Sequence, residues 1–292
     1  MAWVNAIIQG VLTGGLYALF ACGLSLLFGV MKVVNLAHGD LAVVAGYVAI
    51  GVITVTHIPV LWSFVIVVPV MALVGYALQR TVIQSALNRG VLTTLLVTFG
   101  LSVVIENGLL QFFTANSRGI GSGLALVRDS FNLGSQIQIG YLPLVIFAAA
   151  VVVLLGLQYF LSGSKYGRLI RASADDQEAV QLAGADYRHV FGIAAALAFA
   201  TVALAGIAYG MSSQLDPTSG SDVILLFAFA AVVIGGLGSL WGTLLGGVVL
   251  GVAQQIGGQL FNISDEVLAG YIVFLAVLVL RPQGLTTRRA QS

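Results

Sequence analysis

Long apolar stretches without charged residues alternate with short polar ones along most of the chain. Each stretch approaches or exceeds the roughly 20 residues that an α-helix needs to cross a bilayer. The predicted spans occupy residues 2–31, about 35–55, 61–79, 91–113, 141–161, 191–211, two segments within 223–264, and 266–280. We therefore expect an all-α fold: a polytopic transmembrane helical bundle of about nine crossings (eight to ten), with broken helices as one option.

The composition agrees with a membrane protein. Hydrophobic residues make up 59% of the chain and charged residues 8%, whereas a soluble domain carries about 25% charged residues. Lys32, Arg80 and Arg89 follow predicted spans, and the positive-inside rule places those ends in the cytoplasm, with the N-terminus outside and the C-terminus cytoplasmic. Residues 1–292 then form one transmembrane domain in contact with the lipid bilayer. A net charge of +1 gives no indication of a nucleic-acid partner.

Two polar segments connect the predicted spans. The outer loop, 114–140, is rich in Gly, Ser, Asn and Gln, and the cytoplasmic loop, 163–190, holds eight of the charged residues, which number 12 basic and 11 acidic in the whole chain. Capping signals within the cytoplasmic loop predict a short helix with Ser173 as N-cap, Asp176 closing a capping box and Gly184 just after the C-terminal end.

This predicted short helix is suited to binding another protein. Acidic residues crowd its first turn and small apolar residues form one face; they are Asp175, Asp176 and Glu178, and Ala179, Val180 and Ala183. Negative charge is favoured at a helix N-terminus. Two interpretations remain open, a docking element between membrane spans and a solvated connector.

Ionisable residues within apolar spans are the candidates for a transport pathway, because charge in the membrane is costly. Asn35, His38, Gly39 and Asp40 lie beside or within the second predicted span. They are compatible with a proton relay, gating of a substrate path, a metal fragment or a helix cap, and no second ligand cluster favours the metal. Glu106, in the fourth span, faces either the bundle interior or the outer interface.

Glycines interrupt the 42-residue charge-free run at 223–264, at Gly235, Gly236 and Gly238. Either two helices meet there at the inner surface, or the backbone is broken within the membrane, which requires cover by protein or a water-lined cavity. No G-x-x-x-x-G-K-[ST] motif occurs in the sequence. We therefore expect no cofactor on this chain, no catalytic residues and no enzymatic activity of its own.

Four segments in matching order resemble the LivH-type permeases of branched-chain amino acid ABC importers: GLSLLFGVMKVVNLAHGDL, GRLIRASADDQEAVQLAGAD, VVIGGLGSLWGTLLGG and RPQGL. Glu178, Ala179 and Gly184 also match the E-A-A-x-x-x-G signature of importer permeases, although Val180 replaces the second alanine. The resemblance implies a permease in a bacterial inner membrane, paired with a second, LivM-like permease. It further implies two ATPase subunits similar to LivG and LivF, which hold the ATP and Mg, and a periplasmic substrate-binding protein.

The resemblance implies import of branched-chain or other hydrophobic amino acids, with the cytoplasmic loop docking on an ATPase. It also implies that Asn35 to Asp40 and the glycines near Gly236 act as hinges or line the pathway. The same architecture serves urea and short amides, so the substrate stays open. A different class also remains, a proton-coupled secondary transporter that uses His38, Asp40 or Glu106.

Overall fold

The computed structural model describes residues 2–121, 125–133, 137–260 and 266–286. Its helices are α1 (Ala2–Met31), α2 (His38–Thr56), α3 (Val60–Leu78), α4 (Gln84–Leu87), α5 (Val91–Phe113), α6 (Ala125–Arg128), α7 (Tyr141–Gly163), α8 (Lys165–Asp175), α9 (Gln177–Leu182), α10 (Tyr187–Ser212), α11 (Leu225–Gly235), α12 (Leu240–Leu260) and α13 (Glu266–Leu280). Two π-helical turns, Gln79–Ile83 and Gly220–Ile224, join α3 to α4 and lead into α11. The predicted helical bundle is confirmed.

Seven helical segments among the described residues are long and apolar enough to cross a membrane, and α11 and α13 are shorter apolar helices. The predicted number of crossings stays a prediction. The bounds of α1 and α5 agree with the expected spans: α1 ends just before Lys32, and α5 begins shortly after Arg89 and ends with its apolar run at Phe113. The outer loop also contains a feature that was not expected: strands β1 (Ser130–Leu133) and β2 (Ile137–Gly140) form an antiparallel hairpin.

Helix α1 lies at the centre of the bundle and packs against α7, α10, α11 and α12. Glycines bring α1 and α12 into backbone contact: a Cβ at Gly14 would lie 2.5 Å from the Cα of Val248, and one at Gly251 would lie 2.8 Å from the backbone nitrogen of Gly14. Small residues permit such close approach of membrane helices. Because α1 is enclosed by its neighbours, the distance of a contact from the end of α1 shows how far inside the bundle that contact lies.

We call the two ends of the bundle the hairpin side, where β1 and β2 lie, and the basic side, where Met31, Arg80 and α8 lie. Helices α3 and α7 run toward the basic side, whereas α5 and α10 run toward the hairpin side. The turn-rich loop 214–222 lies partly inside the bundle, since Leu215 is fully buried and its carbonyl oxygen accepts a hydrogen bond from the Tyr47 hydroxyl at 3.1 Å. That loop is therefore not a purely exterior turn.

Candidate functional site

Helix α2 begins inside the bundle rather than at its surface. The Nε2 atom of His38, the first residue of α2, lies 2.9 Å from the carbonyl oxygen of Phe20. Phe20 precedes the end of α1 at Met31 by 11 residues, or about 16 Å of helix at 1.5 Å per residue. Residues 32–37 therefore turn back into the bundle, and the chain enters α2 at an interior position.

The carboxyl group of Asp40 lies at the same depth. Its Oδ2 atom accepts a hydrogen bond from the Ser102 hydroxyl at 2.5 Å. Ser102 stands 11 residues from each end of α5, so the pair is at the middle of a full-length span. His38 and Asp40 are both fully buried. The sequence places them correctly within an apolar region, and the structure adds that they lie at the centre of the bundle.

A second helix begins beside Asp40. Gly220 opens the π turn that leads into α11, and a Cβ built on it would lie 2.6 Å from the Cα of Asp40. On the facing helix, a Cβ at Gly39 would lie 2.7 Å from the carbonyl carbon of Gly220. Helix α2 runs from this point toward the hairpin side, and α11 runs toward the basic side. Two helices, α2 of 19 residues and the shorter α11 of 11 residues, thus start from one buried junction. The junction consists of His38, Gly39, Asp40, Ser102 and Gly220.

Helix α5 presents a polar face to the turn that leads into the junction. Thr94, Thr98 and Ser102 follow at four-residue spacing and are buried. The Thr98 hydroxyl accepts the N–H of Leu36 at 3.3 Å. Glu106 continues the spacing one turn closer to the hairpin side and is half-buried. The structure thus places Glu106 on the helical face that carries Ser102, nearer to the hairpin side than the junction itself.

Asn35 shapes the turn before the junction. Its Oδ1 atom accepts the N–H of Ala37 at 3.0 Å, a side-chain turn that precedes α2. The side chain of Asn35 is buried together with the polar face of α5. Of the pathway residues expected from the sequence, the structure brings together Asn35, His38, Gly39 and Asp40. Ser102 and Gly220 were missed, because they are remote from that segment in sequence.

The glycine cluster lies elsewhere, at the basic side. Gly235 ends α11, and Gly236 and Gly238 have φ angles of 108° and 82°, in the left-handed region that favours glycine. The N–H of Thr286 donates to the carbonyl of Gly235 at 3.2 Å. Two alternatives were open for residues 223–264, and the structure shows the first: α11 and α12 meet at the basic-side end of the bundle. The interior helix starts occur instead at His38 and Gly220.

The loop at 163–190 forms two helices, α8 and α9, and corrects the predicted cap. Ser173 is a buried residue inside α8, so it does not start a helix. Asp176 is the N-cap of α9, and its Oδ1 atom accepts the N–H groups of Glu178 and Ala179 at 2.9 and 3.0 Å. Asp175 is the last residue of α8. Helix α8 was not expected from the sequence, and it is held against the bundle by its buried residues Ile170 and Ser173.

The C-terminal end of α9 agrees with the prediction for Gly184. Its φ angle is 84°, its N–H donates to the carbonyl of Gln181 at 2.9 Å, and the Ala185 N–H donates to that of Val180 at 3.1 Å. This pair of hydrogen bonds is a Schellman motif, which requires a residue in the left-handed conformation. Gly184 therefore ends α9 for a conformational reason.

The exposed face of α9 differs from the predicted one. Val180 is only 5% exposed and packs toward the bundle, whereas Leu182 is 90% exposed. Glu178, Ala179 and Ala183 are exposed with it. Leu182 thus projects from a charged segment, away from its own bundle, where another protein can reach it. Sequence reasoning missed Leu182, although a large apolar residue next to Gln181 in a charged segment was a usable signal.

Polar contacts connect the segment after α9 to α3. Asp186 is the N-cap of α10, and its Oδ2 atom accepts a hydrogen bond from Arg80 in the first π turn at 3.0 Å. One turn away, the Tyr76 hydroxyl lies 2.8 Å from Nδ1 of His189. These contacts join the exit of α9 to the basic-side ends of α3 and α10. Helix α10 in turn packs against α2, where a Cβ at Gly206 would overlap the Ala42 carbonyl oxygen.

Long apolar helices, two interior helix starts and a short exposed helix define the class of protein: a polytopic membrane transport subunit. Comparison of its sequence with family models makes this specific, since residues 6–281 match the family described as the branched-chain amino acid transport system permease component. The chain belongs to that family. No solved structure matches it significantly.

Curated relatives align over nearly the full length. The chain is 28% identical to the high-affinity branched-chain amino acid transport system permease protein BraD of Pseudomonas aeruginosa, covering 98% of this chain and 96% of BraD. It is 26% identical to LivH of Escherichia coli K12, with the same coverage of both chains. The ribose import permease protein RbsC of Haemophilus influenzae is 27% identical over 89% of this chain and 81% of RbsC. Related permeases are thus named for chemically different solutes.

Proposed function

We propose that the chain is the permease subunit of an importer for branched-chain amino acids, with its basic side in the cytoplasm and α9 docked on a separate ATPase. Leu182 carries this proposal, because it is a 90% exposed leucine on a capped helix of a charged segment and is available to an apolar partner surface. Lys32, Arg80, Arg89 and the cations of α8 lie on the basic side, which supports the orientation under the positive-inside rule.

The proposed assembly contains this chain, a second permease, two ATPases that bind ATP and Mg, and a binding protein in the periplasm of a bacterial cell. ATP binding draws the ATPases together, and α9 moves with the subunit on which it docks. The hydrogen bond between Arg80 and Asp186 passes this motion to α3 and α10. Because α10 packs along α2, the buried junction lies at the end of this chain of contacts.

The docking role is tested by Leu182→Ala in the complex reconstituted with its cognate partners. Burial of a leucine side chain contributes about 1.5–3 kcal/mol, so its loss should weaken docking roughly 10- to 100-fold. Leu73→Ala is the matched control, since Leu73 is 70% exposed on α3 and away from α9. The measurements are ATPase retained on tagged permease after washing, and uptake of labelled leucine. Equal retention and uptake in the two variants would refute the docking role.

The proposed substrate is tested separately. Uptake of labelled leucine into proteoliposomes should be reduced by unlabelled isoleucine and valine, and unaffected by urea or a short amide. The names of BraD and LivH support amino acids, whereas RbsC shows that a related permease is named for a sugar. Competition by urea but not by isoleucine would reassign the substrate and leave the docking proposal intact.

A further inference from the structure

We propose that a cavity on the basic side binds the phosphate of an anionic lipid headgroup. The cavity has a volume of about 280 Å³ and lies between α1, α7, α8 and the start of α12. It lies on the opposite face of α1 from the α2 turn, and Gly238, in the turn between α11 and α12, is one of its lining residues. The inference needs only that the basic side lies at a membrane surface, so it is independent of the proposed substrate.

The groups around the cavity favour an anion. Arg171 of α8 lines the cavity on one side, and Ser239 and Trp241 line it at the start of α12. Ser239 caps α12, since its Oγ accepts the N–H of Gly242 at 3.0 Å, and the N–H groups of Leu240 and Trp241 have no acceptor within the helix. The helix dipole adds positive potential there. Arg171 is the only charged residue in the described lining, so the ammonium group of an amino acid would find no carboxylate there. A phosphate fits this set of donors better than a zwitterion does.

A second observation, independent of the helix start, points to a ligand. Ser25 lines the cavity from α1 and is 0% exposed, and within the described part of the chain its hydroxyl has no hydrogen-bond partner. A buried hydroxyl without a partner is uncommon in folded proteins. An oxygen of a bound headgroup, directly or through a water molecule, would satisfy the Ser25 hydroxyl.

The position of the cavity favours a lipid as the source of the phosphate. Helix α8 buries Gly167 and Ile170 against the bundle and exposes Lys165, Arg168 and Arg171, so basic side chains gather where the proposed orientation places anionic headgroups. Trp241 is 43% exposed beside the cavity, and tryptophan is enriched at the level of the headgroups. The apolar walls contributed by α1 and α7 would accommodate the first carbons of the acyl chains.

The test is the lipid content of the purified full-length chain. Wild-type protein extracted in mild detergent should retain about one phosphatidylglycerol per chain by quantitative mass spectrometry. Arg171→Ala should lower this amount at least fivefold, and Ser25→Ala, which changes no charge, should lower it as well. Arg168→Ala is the matched control, because Arg168 is exposed on the same helix and does not line the cavity.

A second measurement separates the lipid from a free anion. The delipidated chain is melted with a short-chain phosphatidylglycerol or with inorganic phosphate. The proposal predicts that the lipid raises the melting temperature of wild type but not of Arg171→Ala. Stabilisation by inorganic phosphate alone would overturn the lipid assignment. Equal lipid retention by wild type and Arg171→Ala, or an equal loss in Arg168→Ala, would overturn the site itself.

Discussion

The buried junction makes a sharp prediction for Gly39→Ala. A Cβ at residue 39 would overlap the Gly220 carbonyl oxygen and lie 2.9 Å from the backbone nitrogen of Leu225, so backbone must move to admit a methyl group. Overpacking of this kind costs about 1–3 kcal/mol, and more where backbone atoms are the obstacle. Alanine regains roughly 0.5–1 kcal/mol over glycine through its helix propensity. The net effect is destabilisation at the upper end of that range.

Gly51 provides a matched control in the same helix. A Cβ there meets no atom within 4 Å, so Gly51→Ala should be neutral or slightly stabilising. Thermal melts of the two purified variants should then differ on the order of 10 °C, taking roughly 2–4 °C per kcal/mol. Leucine uptake by Gly39→Ala should fall as well, since α2 and α11 can no longer approach each other. Equal melting temperatures would refute the close contact between the two helix starts.

Two further predictions concern the segment around α9. Burial acts to raise the pKa of Asp186, but the hydrogen bonds from Arg80 and from backbone N–H groups outweigh it and leave that pKa below its usual value. The contribution of Asp186 to stability is therefore present at neutral pH and lost as the pH falls below about 4. In Asp186→Asn the melting temperature should therefore fall less between neutral pH and about pH 3 than it does in wild type. Gly184→Ala places a side chain at a φ of 84°, at a cost of about 1–2 kcal/mol. It should reduce ATPase retention several-fold, whereas Gly163→Ala, in open space, should not.

Much of the bundle could be predicted, because a helix that crosses a membrane needs about 20 mostly apolar residues and is recognised in the sequence as a long run with few charges. The bounds of α1 followed from that rule, those of α5 followed from its apolar run in spite of Glu106, and the end of α9 followed from the conformational freedom of Gly184. The start of α9 did not follow. Ser173 and Asp176 are both good capping residues, and packing of α8 on the bundle decided between them.

Depth within the membrane was harder to predict than helix content. Hydropathy is the same whether an apolar helix begins at the surface or at the centre, so the interior start of α2 had no local signal. The junction also depends on partners far away in sequence: Ser102 is 62 residues from Asp40, and Gly220 is 180 residues away. The π turn at Gly220–Ile224 lies in sequence that is typical of an exterior loop. Tertiary contacts alone identify it as part of the site.

The position of Asp40 also discriminates between proton transport and a structural role for its carboxyl group. Each helix start carries a partial positive charge of about one half, so α2 and α11 together favour one carboxylate where they meet. Such favourable interactions reach about 2 kcal/mol for each helix when partly buried. Asp40→Asn should therefore lower both the melting temperature and the maximal uptake rate, because the helix starts lose the charge between them.

Under this reasoning the pH dependence of the remaining uptake should match that of wild type, since the carboxyl group carries no proton across the membrane. A proton-coupled mechanism predicts instead that Asp40→Asn abolishes the response of uptake to a pH gradient while leaving the fold intact. Uptake in proteoliposomes with and without an imposed gradient, at constant ATP, distinguishes the two. Loss of the gradient response without loss of stability would refute the structural role of Asp40.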